Sequence, residues 1–106
     1  MEYWSQLNQK YEASSLGRIR NSTNGKILKD WATGSGYRKV QIEPNRGRYR
    51  VHRLIAECFV PKPSDEFLVV HHINGNRSDN RALNLMWCTQ AMNMEFARAG
   101  NPPITV

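Results

Sequence analysis

Two histidines stand side by side at His71 and His72, and Asn74, Asn76, Asp79, Asn80, Asn84 and Asn93 complete a polar run within 23 residues. An imidazole ionises near about pH 6.5, so at neutral pH it can take a proton from water or offer a ring nitrogen to a divalent ion. Side chains adjacent on a strand point to opposite faces, so one ring of such a pair can serve a metal while the other faces a reacting water. The plainer reading of a histidine pair is two partly exposed polar residues. Asparagine and aspartate tolerate left-handed turns and bond their own backbone, so Asn74, Asn76 and Asp79 are read as turn residues, and Asn80 is by default another.

The elements that position this run can be read from periodicity. Phe67 to Val70 is a short apolar strand leading into His71-His72, a polar loop spans Asn74 to Asn80, and Leu85 to Cys88 is a second strand. Thr89 is placed to cap a last helix from Gln90 to about Ala99, which Gly100 and Pro102-Pro103 end. Upstream, Leu54, Ile55, Cys58 and Phe59 recur at helical spacing over His52 to Phe59, and Pro61 and Pro63 stop that helix. Before Val51, frequent glycine and asparagine turns leave room only for short strands. The candidates are Gly17 to Asn21, Lys26 to Trp31, Tyr37 to Ile42 and Arg48 to Val51, with Asn24-Gly25 as the strongest hairpin turn. Val40 and Ile42 alternate with Lys39 and Gln41, which predicts a small antiparallel sheet with one buried face and one basic face.

The chain has 106 residues and a formal charge of +6, the size of one ordinary domain and too short for a large multi-domain enzyme. Residues 13 to 53 hold ten cations against two acids, a net +8, and the rest of the chain sums to −2. Most of the ten are arginines, suited to bidentate phosphate contact, so this segment is expected to bind the nucleic-acid backbone; the alternative is a solvated face that keeps the chain in solution. No apolar run reaches the roughly 18 residues of a membrane span, and the N-terminus lacks the basic and apolar parts of a secretory signal, so a soluble, cytoplasmic protein is expected. Cys58 and Cys88 lack C-x-x-C spacing and are read as reduced packing residues.

The run Val70-His71-His72-Ile73-Asn74-Gly75 through Asn80, Asn84-Leu85-Met86-Trp87 and on to Asn93 resembles the HNH nuclease family, in the branch found among phage homing endonucleases. Its pattern is [Asp/Asn/His]-His-x-x-Gly-x-x-x-x-Asn-x-x-x-Asn-Leu-x-Trp. Tyr11 to Arg20, Gly36-Tyr37 and Val51 to Ala56 are similar to the NUMOD4-like DNA-binding module that often precedes this core. The resemblance implies an α+β fold: a small antiparallel β region over 1–51, then over 52–106 a connecting helix and a ββα-metal, or His-Me finger, nuclease core. It implies a metal-dependent DNA endonuclease whose products carry a 3′ hydroxyl and a 5′ phosphate, in a phage-encoded or bacterial setting, either as a nickase or as a homing-type nuclease. The alternatives are a non-catalytic DNA-binding or regulatory protein with a vestigial core, and a purely structural or protein-interaction domain.

By the resemblance, His72 is the general base and Asn84 holds its segment through the side-chain amide, while His71 and Asn93 bind one divalent ion, Mg²⁺ or Mn²⁺. Family members often place Asp or Asn where this chain has His71. The resulting ligand set has no carboxylate, so Zn²⁺ or Ni²⁺ should also be accepted, and the free protein should bind metal weakly, as calorimetric titration would measure. Arg18, Arg20, Arg38, Lys39, Arg46, Arg48, Arg50 and Arg53 are the cations expected to meet double-stranded DNA; Arg53 could equally pair with Glu57 one helical turn on. His52 is read as a packing or capping histidine, and Leu85, Trp87, Leu54, Ile55 and Phe59 as core. Trp4, Tyr11 and Trp31 could stack on bases, although aromatics of so small a domain usually fill the core. Only 13 residues follow Asn93, so no downstream DNA-reading module is expected, and specificity should be limited or come from a homodimer or from a phage or host partner.

Overall fold

The computed structural model describes residues 1–42 and 48–98. Three short strands, β1 (Trp4–Gln6), β2 (Tyr11–Ser14) and β3 (Ile19–Asn21), form an antiparallel sheet in that order. A second antiparallel sheet follows from β4 (Trp31–Ala32), β5 (Arg38–Gln41) and β6 (Arg48–Arg50). Helix α1 (Val51–Phe59) leads to a hairpin of β7 (Val69–His72) and β8 (Leu85–Cys88), and helix α2 (Gln90–Arg98) ends the described chain. No described helix is long and apolar enough to cross a membrane.

Helix α1 is the central packing element. Its face of Val51, Leu54, Ile55 and Ala56 is buried and belongs to one apolar cluster with Ala13 and Ile19 of the first sheet, Val40 of the second, and Val70 and Trp87 of the hairpin. A single core therefore crosses from the N-terminal strands to the hairpin. Fully burying a side chain such as Ile55 is worth about 1.5–3 kcal/mol, so each of the small layers depends on its contact with α1. The helix stops where Val60 turns extended and its N–H closes on the Ala56 carbonyl at 2.9 Å. Trp87 fixes the next segment by donating from Nε1 to the Val60 carbonyl at 2.9 Å.

The second helix begins where Thr89 predicts it, since the Thr89 hydroxyl accepts the Met92 N–H at 3.2 Å. Met92 and Phe96, four residues apart on one face, pack on Val69 and Cys88 of the hairpin. Both cysteines are free thiols, and Cys88 is fully buried.

The N-terminal strands differ from the spacing-based expectation. Strands β1 and β2 form where none is predicted. The predicted strand over Lys26 to Trp31 contributes only an isolated bridge of Ile27 to Arg20, with pairing resuming at Trp31. The hairpin does close at Asn24-Gly25, where Gly25 has φ +72° and the Asn21 N–H donates to the Lys26 carbonyl at 2.9 Å. The chain then leaves its partner strand and crosses to the second sheet, so no ladder continues past Ile27, which stays exposed while Leu28 packs against the core. The turn joining β5 and β6, which includes Arg46, lies outside the described residues.

Candidate active site

The β7–β8 hairpin sorts the two histidines. Its register pairs Val69 with Cys88, Val70 with Trp87, His71 with Met86 and His72 with Leu85. Alternation along β7 then puts His72 on the Val70 side, toward α1, and His71 on the Val69 side, toward α2. The ring contacts agree. His72 lies 4.8 Å from the ring of His52 on α1 and 6.0 Å from that of Tyr37, whereas His71 stacks on Phe96 of α2 at 4.3 Å with 14° between planes.

His72 is 3% exposed, and its Nε2 lies 2.8 Å from Oδ1 of the buried Asn80. A carbonyl oxygen can only accept, so Nε2 carries the proton and a neutral ring keeps its basic lone pair at Nδ1. Burial lowers the pKa of His72, and the Arg77 charge adds to that effect; the Asn80 bond and the Asp79 carboxylate oppose it. Burial thus favours the neutral ring, and the Asn80 bond favours the tautomer with the proton at Nε2. Burial, with smaller contributions from the neighbouring His72, Arg50 and Arg53, takes His52 down to about 3, so its ring is an uncharged wall of the cluster. Tyr37, buried under Arg50 and Arg77, stacks on His52 at 5.3 Å and closes the other side.

Asn84 occupies a buried position at the foot of the loop. Its Oδ1 accepts the backbone N–H of Asn74 at 3.0 Å, and its Nδ2 donates to Asn74 Oδ1 at 3.0 Å and to the Asp79 carbonyl at 2.9 Å. The backbone partners fix which end of the amide is oxygen. Asp79 joins the same network by accepting from Asn74 Nδ2 at 2.9 Å and pairing with Arg81, whose hydrogen bonds hold the Asp79 carboxyl at about 2. Asn76 is the plain turn residue of the set, accepting the Ser78 N–H at 3.0 Å.

On the α2 side, Asn93 is buried one residue beyond Met92 and three before Phe96, on the part of the helix that meets the hairpin. His71 Nδ1 is buried and has no hydrogen-bond partner among the described residues, and burial lowers the pKa of this ring, with His72 a smaller cause. An orphaned, buried imidazole nitrogen is a group whose chemistry suits a divalent cation better than an apolar filling. No cluster of three His, Cys, Asp or Glu side chains placed to hold a metal occurs among the described residues.

Of the eight cations expected at DNA, the seven that are described divide into two groups. Register pairs Lys39 with Arg50 and Gln41 with Arg48, so Lys39, Arg48 and Arg50 share one face of the second sheet while Val40 faces the core. Like charges directly opposite each other destabilise a sheet, which is the arrangement expected where an anion is to be bound. Arg50 also lies over the Tyr37 ring at 4.8 Å, so this face runs up to the His72 cluster. The other group already has carboxylates: Arg18 pairs with Glu2, Arg20 with Glu12 at 3.0 Å and Arg38 with Asp30 at 2.5 Å. The Glu2 carboxyl falls to about 2, chiefly through its bond to Arg18. Arg53 donates to the Leu68 carbonyl at 2.8 Å and sits 3.8 Å from Glu57. Arg46 is outside the described residues.

Asn80 is a residue of the His72 cluster that residue-type reasoning missed. It sits at the first asparagine of the spaced pattern, four residues before Asn84, and that place in the motif was the available signal. Trp87 is buried in the core, while Trp4 stacks under Arg20 at 3.9 Å and Trp31 remains partly exposed on the Lys39 face.

Residues 49–95 match the HNH endonuclease family. An uncharacterized HNH endonuclease of Acanthamoeba polyphaga mimivirus is 39% identical over 86% of this chain, which covers 28% of that relative. The DNA endonuclease I-HmuI of Bacillus phage SP01 is 36% identical over 80% of this chain and 49% of its own length. The solved structure of DNA binding and cleavage by the HNH homing endonuclease I-HmuI superposes with a TM-score of 0.79 at 29% identity, over 94% of this chain and 60% of that one. The chain thus spans about half, or less, of the length of these curated relatives. The match in sequence and shape makes residues 49–95, which hold the paired histidines and the spaced asparagines, an HNH endonuclease core.

Proposed function

We propose that the chain hydrolyses phosphodiester bonds in double-stranded DNA, with His72 as general base. The observation that carries this reading is the Asn80 tether: it commits the Nε2 proton of His72 to a fixed acceptor and leaves Nδ1 as the basic atom of a neutral ring. Nδ1 would take the proton of the attacking water, and the bond from Nε2 would steady the imidazolium that forms. Asn84 holds the ends of the loop that carries Asn80.

His71 and Asn93 are the residues proposed to hold one divalent ion, Mg²⁺ or Mn²⁺ with Zn²⁺ or Ni²⁺ as further candidates. Such an ion, if held there, would supply positive charge against the negative charge that grows on the scissile phosphate. The products are then a 3′ hydroxyl and a 5′ phosphate. The Lys39, Arg48 and Arg50 face would hold the backbone next to the His72 cluster. We place the activity in the cytoplasm of a bacterial or phage-infected cell.

Incubation of supercoiled plasmid with the protein and Mg²⁺ or Mn²⁺ tests the reading. Wild type should convert it to nicked or linear DNA and His72→Ala should not. Equal conversion by both would remove His72 as the base, and inactivity of wild type with every metal would favour a DNA-binding protein with a vestigial core. Linear product appearing without a nicked precursor would point to a homodimer cutting both strands.

A further inference from the structure

The loop that carries Asn80 is held by two turns from the N-terminal half of the chain. Arg77 donates to the Ser35 carbonyl at 2.8 Å, and the Ser78 hydroxyl donates to the Gly36 carbonyl at 3.0 Å. On the other side, the Ala82 N–H donates to the Ser15 carbonyl at 2.8 Å. Between these two anchors sits Gly17. Its φ is +91°, and a Cβ added there would come within 2.9 Å of the Asn80 carbonyl carbon and oxygen. The 14–18 turn is itself rigid, because the fully buried Ser14 accepts the Arg18 N–H at 3.0 Å through its hydroxyl and the Gly17 N–H at 3.1 Å through its carbonyl.

We propose that this turn is a positioning element of the cleavage site: backbone contact at Gly17 fixes Asn80 and, through Asn80, the ring of His72. The inference rests on the reading of His72 as general base and goes beyond it, since it makes part of the N-terminal β region a support of the chemistry as well as a grip on DNA. Only glycine allows both the left-handed backbone and the close approach, so the contact is lost by any side chain there. A displacement of about 1 Å at a reacting group can cost on the order of 100-fold in rate.

Gly17→Ala, Gly25→Ala and Ala82→Pro separate the contact from the strain. Gly25 has φ +72°, but a Cβ added there would meet no atom within 4 Å, so Gly25→Ala reproduces the left-handed penalty without a neighbour. Ala82 opens a short 3-10 turn after Arg81 at φ −62°, ψ 139°, a backbone that accepts proline, so Ala82→Pro removes the donor to Ser15 and sets a ring carbon against that carbonyl, breaking the anchor without left-handed strain. Single-turnover cleavage at saturating DNA, DNA affinity and long-range ¹⁵N–¹H spectra of the His72 ring are measured for each. Gly17→Ala and Ala82→Pro should cut more slowly by about tenfold to 100-fold, bind DNA within about twofold of wild type, and lose the single Nε2–H tautomer of His72. Gly25→Ala should keep both rate and tautomer.

A Gly17→Ala rate within about twofold of Gly25→Ala overturns the proposal. If Gly17→Ala does not fold, a folded Ala82→Pro that cuts at the wild-type rate overturns it equally. A dead His72→Ala beside an active Gly17→Ala rejects the positioning role alone, whereas an active His72→Ala rejects the base assignment on which it rests.

Discussion

Replacing Asn84 by alanine removes three hydrogen bonds at once: the one it accepts from Asn74 N–H and the two it donates, to Asn74 Oδ1 and to the Asp79 carbonyl. Each such bond contributes about 0.5–1.5 kcal/mol net, and the neighbours Asn74 and Asp79 can recover part of it from water because they reach the surface, so the expected loss is about 2 kcal/mol. For a domain of this size that lowers the melting temperature by about 10 °C. Asn84→Asp is the sharper variant. It keeps an oxygen for the Asn74 N–H but turns the donor into an acceptor facing two other oxygens, so it should destabilise at least as much as alanine. Urea denaturation at constant m-value reads both. An Asn84→Asp midpoint corresponding to less than about 0.5 kcal/mol of loss would show that the amide nitrogen does not bind where it is placed, and the account of how the loop is held would fail.

Salt dependence of DNA binding separates the two groups of cations: Lys39→Gln and Arg48→Gln should each reduce the slope of log affinity against log salt by about 1, and Arg38→Gln by less because Asp30 already holds its guanidinium. An Arg38→Gln effect equal to that of Lys39→Gln would remove the second sheet's basic face as the distinct phosphate surface. Acid stability is governed in part by His52, whose folded pKa of about 3 lies below the ordinary histidine value of 6.5. Between these values the unfolded chain binds the extra proton, so stability should fall as pH drops from about 6.5 toward 3, and thermal melts of His52→Phe should show a shallower fall. Equal pH slopes for wild type and His52→Phe would mean that His52 is not buried in the neutral form.

What the sequence showed and what it hid follow from the range of the interactions involved. The β8 strand and the Thr89 cap were legible because their signals are local: an apolar run of fixed length and a hydroxyl at the right distance from a helix start. Strands β1 and β2 were not, because Ser5, Ala13 and Ser14 have little strand preference of their own and pair only because Tyr11, Ala13 and Ile19 share the α1 core. The same reason explains Asn80. As a residue type in a turn it needs no further account, and its role appears only when β7 brings His72 across the loop to its carbonyl oxygen. Charge was legible as a total but not as a disposition, since Glu2 and Glu12 lie outside the basic segment and reach Arg18 and Arg20 only through the pairing of β2 with its neighbours. Sequence spacing therefore identified the residues proposed to touch the reaction, while the contacts that aim them, at Gly17, Asn80 and Ala82, come from turns far apart in the chain that only the shared core brings together.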